Sequence, residues 1–218
     1  MNPSLPKLCY ITDRLSLDPR PLLPFIFEII QAGIDLIQIR EKDLGTRDLL
    51  QLARAVIEGR RGTRTRVVVN DRLDVALAAG AQGVHLGVRS LPASKVRAAV
   101  SGGFWLGVSC HSLEDVRAAE AAGADYALLG PIFETESKLR YGPPLGLEAL
   151  GRAARQTAIP VLALGGVTVQ RVELCLEAGA AGIAGISIFQ KAESPARRIR
   201  EIHQAFDRAA ARINPSQR

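Results

Sequence analysis

Apolar residues along this chain fall into short dense runs, separated by longer stretches in which they recur every three or four positions. The dense runs are "LCYIT", "DLIQIR", "RVVVND", "GVHLG", "WLGVSC", "YALLGPI", "PVLALGG" and "GIAGISI". Each is short, bounded by turn residues and rich in residues that favour extended backbone, so each reads as a strand. The stretches between them, such as "TRDLLQLARAVIEG" and "SLEDVRAAEAAG", carry the spacing of an amphipathic helix. Near-continuous apolar strands alternating with helices imply a parallel sheet covered on both faces.

An internal repeat sharpens the architecture. "QAGIDLIQI", "AAGAQGVHL", "AAGADYALL" and "EAGAAGIAG" each place Ala-Gly two or three residues before a strand. Gly33, Gly80, Gly123 and Gly179 thus stand where a helix ends, a position that favours a residue without a Cβ. They precede strands two, four, six and eight. That regularity predicts a (β/α)8 TIM barrel, class α/β, rather than an open doubly wound sheet. No Gly- or Pro-rich linker divides the chain, so residues 1–218 read as a single domain, with a basic, frayed tail from about residue 212. In such barrels the chemistry sits where strands end and loops begin.

Composition narrows the function. Hydrophobic residues make up 47% and charged ones 23% of the 218 residues, as in an ordinary globular protein. The longest apolar candidate for a membrane span, "PLLPFIFEII", is broken by Pro24 and Glu28, and the residues before "LCYIT" lack the layout of a signal peptide. A cytoplasmic location is the expectation. Cys9, Cys110 and Cys175 are scattered without a CxxC, which fits buried reduced thiols. His85, His111 and His203 show no metal-ligand spacing. The net charge of +6 admits anionic partners, but aromatics are only 5% and no Lys/Arg block appears, which argues against nucleic acid. Much of the basic excess lies between Arg197 and Arg218 and reads as a solvated helix face.

The strand ends hold the candidate chemistry. Gln38 and Arg40 alternate onto one face of strand two, with Lys42 just beyond. The competing reading is an internal ion pair of Arg40 with Glu41 or Asp43. Asn70 and Asp71 end strand three, either as helix caps or as groups that hold Mg²⁺ against a phosphate. His85 lies within strand four and reads as a core histidine. Ser109 and His111 share a face of strand five, a pairing without the surroundings of a nucleophile elbow. Ser112 is a candidate N-cap, with Asp115 in the capping-box position. Strand six runs into "GPIFETESK", which supplies Thr135, Ser137 and Lys138. Gly165-Gly166 follows strand seven and allows close backbone approach to a ligand, or merely a tight turn. With Lys138 nearby, a phosphate is the preferred occupant.

Taken together, "QIREK", "VNDRLDVALAAGAQGVHLG", "GVSCHS", "GADYALLGPIFETESK", "ALGGVT" and "GISIF" resemble the thiamine phosphate synthase superfamily, which includes the thiazole tautomerases. The resemblance runs from about Cys9 to Ile202. It implies a (β/α)8 barrel that joins hydroxymethylpyrimidine diphosphate to thiazole phosphate, with Mg²⁺ as cofactor. By that resemblance Gln38, Arg40, Lys42 and Asn70 match positions that bind the diphosphate substrate, and Asp71 matches a metal ligand. Ser109 matches a pyrimidine-site residue, Thr135 and Ser137 the hydroxyls that hold thiazole phosphate, and Lys138 the lysine beside the diphosphate. Gly166, Ile186 and Ser187 match the phosphate cradle. Lys138, Arg40 and Ser109 are the implied catalytic set. The implied partners are small phosphorylated substrates, with no nucleic acid and no membrane; a homo-oligomer is admitted.

Two departures keep alternatives open. Ser90 stands where a second metal-binding aspartate is expected, so the metal site is one ligand short. "FETESK" followed by "YGPPLG" is closer to the tautomerases, yet Pro131 occupies the place of their acid–base histidine. The readings are a synthase, a tautomerase acting on the thiazole carboxylate phosphate, or a non-catalytic thiazole or thiamine phosphate binder.

Overall fold

Each dense apolar run becomes a strand, and the computed structural model closes the eight into one parallel barrel. The structure describes residues 6–135 and 143–213. The strands are β1 (Leu8–Ile11), β2 (Leu36–Ile39), β3 (Arg66–Asn70), β4 (Gly83–Leu86), β5 (Trp105–Cys110), β6 (Tyr126–Leu129), β7 (Val161–Leu164) and β8 (Gly182–Gly185). Every strand pairs with its sequence neighbours, and β1 closes on β8 with Leu8 opposite Ile183. Helices α1 (Arg14–Leu17) and α2 (Leu22–Gln31) follow β1. α3 (Thr46–Gly59), α4 (Leu73–Ala79), α5 (Ala93–Ala99), α6 (Leu113–Ala121), α7 (Gly146–Gln156) and α8 (Val169–Glu177) each follow one of the next six strands. α9 (Ser187–Gln190) and α10 (Pro195–Ile213) follow β8. This is the single (β/α)8 barrel that the pattern predicts; the tail beyond 213 lies outside the described residues.

The strands are apolar on both faces because both are buried. Their outward side chains, such as Ile37, Val67 and Val69, join Ile26, Ile29, Ala53 and Val56 of the helices in one core. Their inward side chains form a second core of Cys9, Ile11, Leu36, Val68, Trp105, Tyr126, Leu128, Leu162 and Ala184. The basic run at the C-terminus is a helix face as expected. α10 buries Ile199, Ile202 and Ala205, and turns Arg208 and Arg212 toward Glu173 and Glu177 of α8.

The repeat has a second physical content besides its glycines. Gly33, Gly80, Gly123 and Gly179 all take left-handed φ. Two residues after the first three of these glycines comes a side chain that ties the base of the barrel. Asp35 Oδ2 accepts hydrogen bonds from the Lys7 and Leu8 N–H groups at 2.9 Å. Gln82 Oε1 accepts from Val67 N–H at 2.9 Å, and Asp125 Oδ2 from Leu106 N–H at 2.7 Å. Each side chain precedes an even strand and satisfies an N–H within the first two residues of the odd strand before it, a group that would otherwise be left without a partner. The fourth copy has Ala181 and no side-chain acceptor. Arg97 of α5 reinforces the third by pairing with Asp125 at 2.5 Å and donating to the Phe104 carbonyl.

Asp125→Ala should therefore lower the unfolding free energy by about 1–3 kcal/mol, since it strands the Leu106 N–H, while Asp125→Asn keeps an acceptor and loses less. Urea denaturation of the three proteins checks this, and equal midpoints for wild type and Asp125→Ala would contradict it.

Candidate active site

Strand alternation sets which side chains reach the barrel mouth. Leu36 and Val68 belong to the inner core, so Gln38 and Asn70, two residues further on, share their inward face. Gln38 is only 2% exposed, and its Nε2 has no hydrogen-bond partner. A buried amide donor left open costs about 1–3 kcal/mol unless something else fills the place. Continued alternation carries Arg40 inward, and its charge is felt at His85 on β4.

The ion-pair alternative for Arg40 does not hold. Glu41, 5% exposed, accepts from the Arg14 N–H at 3.1 and 3.3 Å and from the Thr12 hydroxyl. The Arg14 guanidinium pairs with Asp43 and lies 3.9 Å from Glu41. Thr12 also accepts the Arg40 N–H at 2.9 Å, and its own N–H donates to the Gln38 carbonyl. Both carboxylates flanking Arg40 are thus engaged by Arg14, and among the described residues no carboxylate pairs with the Arg40 guanidinium. Burial raises the Glu41 pKa, opposed by the Thr12 and Arg14 hydrogen bonds.

Asn70 and Asp71 are not helix caps. The N-cap of α4 is Arg72, without a side-chain cap bond, and Arg72 pairs with Asp74 instead. Asp71 has φ 66°, the one non-glycine residue with positive φ among those described. Its N–H donates to the His85 carbonyl at 2.8 Å, which leaves its exposed side chain at the top of β3. Such backbone strain costs on the order of 1 kcal/mol and concentrates at functional sites. Ser90 closes its own loop: its Oγ accepts the Gly87 N–H at 2.8 Å, and its N–H donates to the Gly87 carbonyl. Ser112 does cap α6, accepting from the Asp115 N–H at 3.0 Å, and Asp115 accepts from the His111 N–H.

Ser109 finds a histidine, but not His111. The His111 ring bonds the Gly130 carbonyl, whereas His85 Nε2 lies 2.9 Å from Ser109 Oγ. His85 Nδ1 lies 3.2 Å from the Tyr126 hydroxyl. His85 is 1% exposed, and burial, with help from Arg40, pushes its pKa down to about 3, so the ring is neutral. Sequence reasoning rightly placed His85 in the core but missed that it supports Ser109. The signal was its register: His85, Gly107 and Tyr126 stand side by side on three neighbouring strands.

On the opposite side of the mouth the loops pack on each other. Ile132 and Phe133 donate their N–H groups to the Leu164 and Gly165 carbonyls. Gly165 and Gly166 have φ of 89° and 64°, and a Cβ on Gly166 would lie 2.4 Å from the Glu134 carbonyl oxygen. The glycines therefore also serve loop packing. Arg171 of α8 donates to the Gly166 carbonyl at 2.7 Å and lies over the Phe133 ring, another residue missed from sequence. Thr135 is half-buried at the end of this loop, Lys42 and Ser187 are exposed, and Ile186 is half-buried. Ser137 and Lys138 lie outside the described residues.

Comparison with known proteins places the chain in a family. The family model described as thiamine monophosphate synthase matches residues 8–189. The chain belongs to that family. A putative thiamine-phosphate synthase from Geobacter sulfurreducens is 42% identical over 196 residues, covering 90% of this chain and 92% of that protein. The thiamine-phosphate synthase of Chlorobium luteolum is 41% identical over 201 residues, covering 92% and 93%. The solved thiamine phosphate pyrophosphorylase from Pyrococcus furiosus superposes with a TM-score of 0.84 at 32% identity, covering 93% of this chain and 96% of that one. A 3-hexulose-6-phosphate synthase from Salmonella typhimurium, at 21% identity and TM-score 0.70, shares the fold alone. Among the described residues no helix is long and apolar enough to cross a membrane.

Two stability measurements follow. Gln38→Leu removes an unpaired buried donor and should hold or raise the unfolding free energy by up to about 2 kcal/mol in urea; a clear loss would show that Gln38 is already satisfied. His85 has its ordinary pKa of 6.5 when unfolded and about 3 when folded, so below pH 6.5 the unfolded chain binds a proton that the folded one refuses. Its contribution is complete above pH 6.5 and is lost as pH falls toward 3. Between pH 7.5 and 5 the wild type should lose about 2 kcal/mol more than His85→Gln, and parallel profiles would contradict this.

Proposed function

We propose that this chain is a thiamine-phosphate synthase that joins hydroxymethylpyrimidine diphosphate to thiazole phosphate and releases diphosphate. The observation that carries the reading is the inward pair of Gln38 and Arg40, a buried open donor beside a guanidinium with no carboxylate partner among the described residues. That arrangement wants a ligand with both an acceptor and an anionic group.

The proposed division of labour follows the strands. Gln38 and Ser109 hold the pyrimidine, and Arg40, Lys42, Asn70 and Lys138 hold its diphosphate. Thr135, Ser137, Gly166, Ile186 and Ser187 hold the thiazole phosphate. The C–O bond to diphosphate breaks with its electron pair leaving on oxygen, and the resonance-stabilised pyrimidine cation accepts the lone pair of the thiazole nitrogen. Arg40 and Lys138 stabilise negative charge on the departing group, and no side-chain nucleophile is needed.

The donors present fit Mg²⁺ that arrives with the diphosphate. Mg²⁺ keeps several waters and takes one or two carboxylates plus substrate phosphates. Asp71, strained into an exposed pose, supplies one carboxylate, and among the described residues no cluster of three potential ligands forms a protein-only cage. When bound, Mg²⁺ would neutralise charge on the diphosphate. Asp71 is the proposed ligand, and Ser90, whose hydroxyl binds Gly87 N–H, is not. The tautomerase reading is less favoured because Pro131 replaces its histidine.

Purified protein given both substrates and Mg²⁺ should form thiamine phosphate; no product at high enzyme, with turnover of the thiazole tautomer, would end this reading. Arg40→Ala should cut kcat/KM by about 10²–10³-fold. Ser90→Asp should lower the Mg²⁺ concentration for half-maximal activity and tighten Mg²⁺-diphosphate in calorimetry. No change in either would place residue 90 away from the metal.

A further inference from the structure

Three residues side by side on β4, β5 and β6 form a buried polar bridge that the reaction as described does not use. Gly107 lies between His85 and Tyr126 in the strand register. A Cβ there would fall 2.2 Å from Tyr126 Cζ, 2.3 Å from its hydroxyl and 2.5 Å from His85 Nδ1. The absent side chain is the space in which the imidazole and the phenol meet. Trp105 closes the bridge from below, with its ring 6.1 Å from that of Tyr126. From the top of the bridge, His85 Nε2 reaches Ser109 Oγ at 2.9 Å.

Counting donors sets the direction of this chain. A neutral imidazole has one N–H and one bare nitrogen. The Tyr126 hydroxyl is fully buried, and among the described residues its hydrogen-bond partner is His85 Nδ1. If Nδ1 carried the proton, the phenolic O–H would have no acceptor, at a cost of about 1–3 kcal/mol. With the phenol donating to Nδ1, the imidazole proton sits on Nε2 and points at Ser109 Oγ. Ser109 then accepts from below, and its own O–H is left to donate upward.

We propose that Tyr126 and His85 are positioning residues that fix Ser109 as a hydrogen-bond donor toward a ring nitrogen of the pyrimidine substrate, with Gly107 providing the gap the relay requires. A serine held this way discriminates. A bare ring nitrogen accepts its O–H, whereas a protonated one would meet only the remaining lone pair and leave that O–H without an acceptor at the ring. Gln38 Nε2, another open donor at this mouth, asks for an acceptor too. The relay rests on the functional reading only in its last step, the identity of what Ser109 donates to.

Nitrogen-15 NMR of the labelled imidazole in the unaltered enzyme should show the Nε2–H tautomer for His85, and an Nδ1–H tautomer overturns the relay. In steady-state kinetics Tyr126→Phe should lower kcat/KM for the pyrimidine diphosphate by about 5–10-fold, the worth of one neutral hydrogen bond, and leave KM for thiazole phosphate unchanged. Ser109→Ala combined with Tyr126→Phe should be no worse than Ser109→Ala alone; losses that multiply overturn the coupling. Gly107→Ala, which adds bulk but removes no polar group, should match Tyr126→Phe, and unchanged kinetics for it also count against the proposal. His85→Gln, with an amide N–H near the Nε2 position, should recover activity that His85→Leu loses. A wild type inactive as a synthase would sink the functional reading and the substrate half of this proposal, while the tautomer still judges the relay.

Discussion

The site depends on a separation of charge at the end of β2. Arg40 and Glu41 are adjacent, and alternation sends one inward and the other outward. Left alone, the two would relax toward each other or toward Asp43 and quench the positive charge that Arg40 brings to that wall. Arg14 prevents this by holding Glu41 with its backbone N–H and Asp43 with its guanidinium. Thr12 stitches the same corner by bonding Glu41, the Arg40 N–H and the Gln38 carbonyl. A buried carboxylate is costly to desolvate, and here the Thr12 and Arg14 hydrogen bonds, with the Arg14 charge behind them, offset part of that cost. The guanidinium is thereby left without a carboxylate partner among the described residues, as the proposed diphosphate contact requires.

From that corner the pocket divides into two kinds of wall. β2 to β5 present side chains, Gln38, Arg40, Asn70 and Ser109, backed by the buried His85. β6 to β8 present backbone, where Gly130, Gly165, Gly166 and Gly185 bring strands and loops so close that a Cβ would collide with a neighbour. A wall of side chains can read the edge of a flat ring, and a wall of backbone and small hydroxyls suits a phosphate. Two dissimilar substrates meeting in one barrel is a natural use of that asymmetry.

Much of this was legible before any coordinates. The eight strands follow from the apolar runs, because a parallel barrel buries both faces of each strand. The four left-handed glycines follow from the Ala-Gly repeat. Gln38, Arg40, Asp71 and Ser109 stand out because polar residues at the ends of apolar strands need a reason. What stayed hidden depends on which neighbour a side chain meets. Nothing in "TDR" announces that Arg14 will take Glu41 and Asp43 away from Arg40. Asn70 and Asp71 resemble caps until α4 starts at Leu73, with Arg72 as its N-cap. Ser109 and His111 resemble a pair by spacing, yet the helix start at Ser112 turns His111 toward Gly130. The acceptors Asp35, Gln82 and Asp125 were in plain view two residues after the first three repeat glycines, but only barrel closure shows which N–H each one meets.

Ser90 shows how a departure from the family pattern can be absorbed. An aspartate in that loop would serve both the turn and a metal, since a carboxylate can accept from Gly87 N–H and still offer a free oxygen. A serine hydroxyl bonded to that N–H retains the turn and gives up the charge. The turn is therefore held by the serine's own hydrogen bonds, with Val88 and Leu91 exposed beside it. In the proposed reaction, what would shift is the share of diphosphate charge neutralised through a metal. With one carboxylate fewer, more of that work would fall to Arg40. That residue can take it because Arg14 and Thr12 hold its acidic neighbours aside.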